Sequence, residues 1–161
     1  MDNRPIGIFD SGLGGLTVVK ALKELLPNES IVYFGDTARL PYGVKSQSLV
    51  EQFSIEITRF LLERNAKAVI IACNTATAMA LNSLKNEFKN IPIIGVIEPG
   101  SEKAICETNT KKIGVIGTIA TISSGAYKKE IQQKDSKVKI ISKACPLFVP
   151  FVEEGLIHGS A

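Results

Sequence analysis

Short apolar runs alternate with stretches of helical periodicity along almost the whole of this 161-residue chain. The runs have the length of single strands and lie at residues 5–9, 30–34, 68–72, 91–97, 112–116 and 138–142. Between them, apolar side chains recur every three or four positions, as they do on an amphipathic helix. Strands that are apolar throughout are typical of parallel sheets covered by helices on both faces. The sequence therefore predicts an α/β fold.

One interruption divides this pattern, at Glu98-Pro99-Gly100, and it is expected to end the fourth strand. We therefore predict two similar α/β domains, residues 1–97 and residues 98–161. The second has only two predicted strands, so we expect it to be incomplete here, with unpaired sheet edges. A capping box of Ser48 and Glu51 is expected to open the second helix. The other predicted helices cover residues 16–26, 74–88, 101–107, 123–133 and 146–156.

Composition narrows the functional classes. A net charge of +3, from 19 basic and 16 acidic residues without a basic cluster, argues against nucleic-acid binding. The apolar runs are too short to cross a membrane, and no signal peptide is visible. Three widely spaced cysteines predict reduced thiols in the cytoplasm rather than a disulfide framework. The single histidine and the lack of a Cys-x-x-Cys pair argue against a metal site.

The strongest candidate for chemistry is Cys73. The apolar run 68–72 leads directly into it, and a helical pattern begins after Asn74 and Thr75. Unpaired N–H groups and the dipole at a helix start favour negative charge, so we predict a lowered pKa and a reactive thiolate. The alternative is an inert buried cysteine. Cys106 and Cys145 are predicted to be structural.

Polar residues also follow the other strands. Asp10 and Ser11 follow the first run, Asp36 the second and Thr118 the fifth. Ligands of open α/β sheets bind outside the carboxyl ends of the strands, so these residues predict a site for a small polar molecule. Asp10 has an alternative role as a helix cap. The glycines at 12–15 and 114–117 lack the spacing of nucleotide-binding loops.

Six segments in the same order closely resemble those of the glutamate racemases. They are FDSGLGGLT at 9–17, GDTARLPYG at 35–43, ACNTATA at 72–78, GVIEPG at 95–100, IGVIGT at 113–118 and CPLFVP at 145–150. The resemblance implies cofactor-independent interconversion of L- and D-glutamate by two thiols that serve as acid and base. It also implies a supply of D-glutamate for bacterial peptidoglycan, a cytoplasmic location, no metal, and a homodimer at full length.

The resemblance further implies roles for individual residues. Cys73 would be one acid/base, Asp10 would assist it, and Glu153 would support the second base. The residues expected to contact substrate are Asp10, Ser11, Tyr42, Gly43, Asn74, Thr75 and Thr118, with Thr121 as a further candidate. The family's second cysteine lies in a Gly-Cys-Thr-His segment that this sequence lacks. We therefore expect about the first three-fifths of a racemase, inactive by itself.

Two other functions stay open. A related racemase acting on aspartate would use the same two-thiol chemistry, although segments 36–43 and 72–78 favour glutamate. A non-catalytic remnant that binds an amino acid or a partner protein would need no second thiol.

Overall fold

The computed structural model describes residues 2–156 and 158–159. Residues 1, 157, 160 and 161, which the two predicted domains include, lie outside the described residues.

Strands and helices alternate along the chain, which confirms the predicted α/β class. The strands are β1 (Ile6–Asp10), β2 (Ile31–Gly35), β3 (Ala68–Ile71), β4 (Ile93–Gly95), β5 (Lys112–Gly117) and β6 (Lys139–Ala144). The helices are α1 (Leu16–Leu25), α2 (Gln47–Glu63), α3 (Asn74–Glu87), α4 (Ile97–Glu107), α5 (Ile119–Ser123), α6 (Ala126–Lys134) and α7 (Phe148–Glu153), with a 3₁₀ helix at Tyr42–Val44.

The described strands form two parallel sheets. The first has the order β2-β1-β3-β4, and the second pairs β5 with β6. From β1 the chain passes to β2 on one side and later to β3 on the other, so the strand order reverses at β1. The carboxyl ends of β1 and β3 therefore flank the position where ligands bind in open α/β sheets. The division into domains 1–97 and 98–161 stays a prediction.

Helices cover both faces of the first sheet. Phe9 and Ile71 pack into a core with α2 and α3, while Ile8 packs against the α1 side. In the second sheet, Val115 packs against Ile131 of α6 and Val138. Packing on both faces of the first sheet holds β1 and β3 in place, and the polar residues of the candidate site follow these strands.

Several predicted boundaries differ from the observed ones by a few residues, and two of these differences have a clear physical cause. Helix α2 is capped by Ser46, not Ser48, because the Ser46 hydroxyl accepts the Leu49 N–H at 3.4 Å. Helix α4 begins at Ile97, so the predicted break at Glu98-Pro99-Gly100 lies inside its first turn. Proline is tolerated there because the N–H groups of a first turn have no partner within the helix.

The predicted helix 123–133 corresponds to α6, and the short helix α5 that precedes it was not predicted. Gly125 separates α5 from α6 and adopts a left-handed backbone conformation with φ of 66°. Glycine takes this conformation without the steric cost that a Cβ would bring. Among residues 2–156 and 158–159, no helix combines the length and the apolarity needed to cross a membrane.

Candidate active site

Cys73 lies where the sequence predicts, between β3 and α3. Its backbone is extended, and its sulfur accepts the Ala76 N–H at 3.4 Å as the cap of α3. The same thiol donates to the Ser11 hydroxyl at 3.4 Å. Only 5% of the residue is exposed. The ends of β1 and β3 thus hold one thiol against one hydroxyl in a buried position.

The prediction of a lowered pKa for Cys73 is wrong. Burial raises the pKa of the thiol above its ordinary value, and the negative charge of Asp10 raises it further. Hydrogen bonds with Ser11 and Ala76 oppose the shift without reversing it. Loss of hydration disfavours the Cys73 thiolate, and at this position the cost exceeds the stabilisation that the start of α3 provides. The resting group is a protonated thiol, which can serve as an acid.

Asp10 is not the cap of α1, which follows Gly15 and has no side-chain cap, and its role beside Cys73 stays a prediction. Its Oδ2 accepts the N–H groups of Gly12 at 3.1 Å and Gly15 at 3.0 Å, so it closes the turn before α1. Its charge also acts on the Cys73 thiol. One carboxylate therefore holds the loop after β1 and adds to the effect of burial on the pKa of Cys73.

Glu153, the last residue of α7, reaches the same loop. A Cβ built on Gly12 would lie 2.4 Å from Glu153 Oε1, so the carboxylate end of Glu153 lies directly over this glycine. Tyr33 is affected by Asp10, Glu153 and Cys73. Burial raises its pKa to about 12, together with the charges of these three residues. The structure thus brings Asp10, Cys73 and Glu153 into one region.

Three threonine hydroxyls form a closed cluster beside α3. Thr75 Oγ1 lies 3.0 Å from Thr118 Oγ1 and 3.1 Å from Thr121 Oγ1. Thr118 Oγ1 also donates to Thr121 Oγ1 at 3.0 Å. Hydroxyl protons rotate, so the cluster can turn its donors towards an anion such as a carboxylate. The cluster joins the helix that begins after Cys73 to the helix that follows β5.

Tyr42 and Gly43 enter this region in different ways. The Tyr42 side chain is buried, and its hydroxyl donates to Asp36, which also accepts the Arg39 Nε–H at 2.7 Å. Burial and this hydrogen bond raise the pKa of Tyr42. The Tyr42 hydroxyl is therefore engaged with Asp36. Gly43 packs so closely on Thr118 that a Cβ would lie 2.4 Å from the Thr118 Cβ.

Asn74 is exposed at the start of α3, and its Oδ1 accepts the Tyr127 hydroxyl at 2.6 Å. A cavity of about 430 Å³ adjoins this pair and includes Thr118, Thr121 and Cys145 among its lining residues. The cavity therefore adjoins the threonine cluster. Cys73 is not among the described residues that line it.

The other two cysteines do not lie in the core. Cys106 is exposed on α4, and Cys145 is half-buried at the cavity. The prediction that both are structural is therefore not supported for Cys106, because an exposed thiol contributes little to packing. Within residues 2–156 and 158–159, no group of three or more His, Cys, Asp or Glu side chains is arranged to hold a metal ion.

Sequence reasoning missed Tyr33 and Tyr127, which hydrogen bond to Gly12 and to Asn74. Tyr33 could have been noticed because it places a hydroxyl inside an otherwise apolar strand. For Tyr127 there was none, because its partner is distant in sequence.

Comparison with known proteins decides the family. The profile of the family described as Asp/Glu/Hydantoin racemase matches residues 6–147. This chain belongs to that family. Among the curated relatives of this chain, "Glutamate racemase" of Aquifex aeolicus is 53% identical over 154 residues, covering 96% of this chain and 59% of the relative. "Glutamate racemase" of a Carnobacterium species is 56% identical over 153 residues, covering 95% and 57%.

Solved racemase structures share the fold. The glutamate racemase of Francisella tularensis in complex with D-glutamate has a TM-score of 0.92 and 47% identity, over 99% of this chain and 60% of that one. The Escherichia coli glutamate racemase, in complex with L-glutamate and the activator UDP-MurNAc-ala, has a TM-score of 0.79 and 28% identity, over 98% and 59%. The chain thus spans about three-fifths of the length of these racemases. The family likeness predicted from six sequence segments is confirmed.

Proposed function

We propose that this chain carries the Cys73 half of a glutamate racemase that works without a cofactor. The observation that carries the proposal is the buried Cys73 thiol, held by Ser11 and influenced by Asp10 at the carboxyl ends of β1 and β3. Relatives about half identical to this chain are named glutamate racemases, and two similar structures hold D- or L-glutamate.

The substrate would be held by neutral donors and one acid. Thr75, Thr118 and Thr121 offer rotating hydroxyls to a carboxylate, and Asn74 adds an amide. The Asp10 carboxylate suits an ammonium group. Gly43 would contribute backbone, as would Tyr42, whose side chain is buried. A small amino acid with two carboxylates matches this set of groups.

Racemisation removes the α-proton on one face and returns a proton on the other. In one direction the Cys73 thiol donates its proton to the carbanion and becomes a thiolate; in the other, the thiolate takes the α-proton and becomes a thiol. The raised pKa of Cys73 suits the acid role at rest. A bound ammonium group would favour the thiolate, because an opposite charge lowers the pKa of an acid. Glu153 would support the group on the opposite face.

The wider setting belongs to the same proposal. D-glutamate would serve bacterial peptidoglycan, the reaction would take place in the cytoplasm, and the full-length enzyme would be a homodimer. Aspartate as substrate is the closest alternative, because it carries the same two carboxylates and ammonium group.

One observation favours a second function for the present sequence, in which the α-hydrogen of glutamate is exchanged on one face only. Cys106 is exposed on α4, and Cys145 donates only to the Lys143 carbonyl within the described residues, at 3.8 Å. With a single thiol hydrogen bonded at the ends of β1 and β3, the chain would bind glutamate and exchange its α-hydrogen on one face without inversion.

The test is incubation of the purified chain with L- or D-glutamate in deuterium oxide. We expect slow loss of the α-proton signal of one enantiomer by proton NMR, without the other enantiomer in chiral chromatography. Cys73→Ser should abolish this exchange, and Cys106→Ser should leave it unchanged. L- and D-aspartate under the same conditions test the alternative substrate. Sustained inversion would reveal a second base, and dependence on added pyridoxal phosphate or metal would overturn the cofactor-independent mechanism.

A further inference from the structure

Tyr33 lies in the middle of β2, and its hydroxyl reaches the loop after β1. The ring packs with Ile8 on the α1 side of the first sheet, and the residue is half-buried. The Tyr33 hydroxyl donates to the Gly12 carbonyl at 2.9 Å. The hydrogen bond links residues 21 positions apart and ties the loop to the sheet.

The loop that receives this bond contains Ser11, the hydrogen-bond partner of Cys73. Its Gly12 and Gly15 N–H groups donate to Asp10, and Glu153 lies against the Gly12 backbone. The Gly12 N–H therefore donates to a carboxylate and its carbonyl accepts from a phenol, while the Glu153 carboxylate lies close to its Cα. In this set of contacts only the phenol comes from β2.

Close packing leaves the phenol little freedom. A Cβ built on Gly35, which ends β2, would lie 2.8 Å from the Gly12 carbonyl oxygen and 3.2 Å from Tyr33 Cε1. The absence of a side chain at Gly35 allows the ring and the loop to meet.

The phenol also keeps its proton. With a pKa raised to about 12 by burial and by Asp10, Glu153 and Cys73, Tyr33 stays a donor throughout the pH range in which the thiol would work. Loss of its hydroxyl would leave the Gly12 carbonyl without this donor.

We propose that Tyr33 is a positioning residue, which holds the Gly12 peptide so that Ser11 meets the Cys73 thiol and Asp10 stays bonded to the loop. The proposal rests on the proposed function, because it assigns Tyr33 to the site in which Cys73 would act. Tyr33 acts through the loop and not by contact with substrate.

The first measurement is amide hydrogen exchange of Tyr33→Phe by NMR. We expect the Gly12 and Gly15 amides to exchange roughly three- to tenfold faster than in the wild type, the effect of one lost hydrogen bond on local opening. The Ile8 and Val69 amides, inside β1 and β3, should keep their rates and so report on global stability. Tyr127→Phe is the matched control, because it removes a hydroxyl that bonds to Asn74 instead.

A second variant approaches the same contact from the other side. Gly35→Ala keeps the Tyr33 hydroxyl but forces the ring and the Gly12 carbonyl apart, so it should reproduce the faster exchange at Gly12 and Gly15. Gly114→Ala is its control, because a Cβ there would have no atom within 4 Å. Rates at Gly12 and Gly15 are read relative to Ile8, which separates loop opening from unfolding. Unchanged relative rates in both variants would overturn the proposal.

The functional measurement is an NMR titration with L- and D-glutamate. We expect Tyr33→Phe to weaken binding several-fold while the Ile8 and Val69 amides stay protected. Wild-type binding that Tyr33→Phe leaves unchanged would reduce Tyr33 to a structural role and overturn the positioning proposal alone. Failure of the wild type to bind either enantiomer would instead overturn the proposed function.

Discussion

At the scale of single residues, the pKa of Cys73 is raised by some neighbouring groups and lowered by others. The helix start and the hydrogen bonds from its neighbours favour a thiolate, whereas burial and the Asp10 carboxylate favour a thiol. Burial has the largest effect on the pKa of Cys73, so the protonated thiol is favoured. The pKa of this residue is therefore most sensitive to charge brought in beside it, either by a ligand or by mutation.

Asp10→Asn should lower the pKa of Cys73, because it removes a negative charge that disfavours the thiolate. In the wild type, iodoacetamide at neutral pH should modify exposed Cys106 first and Cys73 last. The Cys73 rate should rise as the pH is raised past the ordinary value of 9.0 for a cysteine. In Asp10→Asn this rise should occur at lower pH, with modification at fixed pH several-fold faster by mass-spectrometric mapping.

The matched control is Asp135→Asn, the same change at a surface carboxylate paired with Lys111. It should leave the Cys73 rate unchanged. Equal rates in Asp10→Asn and the wild type would show that the Asp10 charge does not govern the thiol.

At the scale of elements, the 3₁₀ helix Tyr42–Val44 connects the two sheets. Its Tyr42 hydroxyl donates to Asp36, which follows β2 and also accepts the Arg39 Nε–H, and Gly43 packs on Thr118 before α5. A three-residue helix has little stability of its own, so these contacts decide where it lies. The position of Thr118 relative to Thr75 follows from the same packing.

Gly43→Ala should destabilise the chain, because its Cβ would lie 2.4 Å from the Thr118 Cβ. We expect a loss of about 1–3 kcal/mol in the free energy of unfolding, as overpacking usually costs, measured by urea titration. Gly114→Ala, with no atom within 4 Å of the added Cβ, should change stability by less than about 0.5 kcal/mol. Equal stability of the two variants would contradict the tight contact.

At the scale of the whole molecule, the two sheets differ in how they are covered. The first has helices on both faces, whereas one face of β5 and β6 leaves Ile116 63% exposed and Ile141 72% exposed. Exposed Lys112, Lys139 and Lys143 alternate with these isoleucines along the two strands. The face therefore combines apolar attraction with like-charge repulsion.

This combination predicts self-association that increases with salt. Added salt screens the lysines but leaves the apolar contact in place, so sedimentation velocity should show more association at high ionic strength. Ile141→Lys should weaken association several-fold by replacing the most exposed isoleucine of this face with charge. Leu25→Lys, a change at a 76%-exposed leucine at the end of α1, should have little effect. Association that falls with salt would contradict this mechanism.

The α/β class, the alternation of strands and helices, and the position of Cys73 between β3 and α3 follow from the amino-acid sequence alone, whereas α5 does not. These features depend on local periodicity and on residues adjacent in sequence, which a single chain displays directly. The cap of α2 and the start of α4 were missed by a few residues, because Ser46 competes with Ser48 and a first turn accommodates Pro99. The six motifs likewise indicate the racemase family, since they can be read without knowledge of the fold.

The construction of the candidate site depends on contacts between segments that are distant in sequence. The pKa direction of Cys73 depends on burial and on Asp10, which is remote in sequence, and so the sequence-based prediction had the wrong sign. The phenol of Tyr33 on Gly12 and the contact of Glu153 with the same glycine join segments that no local pattern relates. Desolvation and long-range packing are properties of the folded arrangement, because they arise only when distant segments exclude water together.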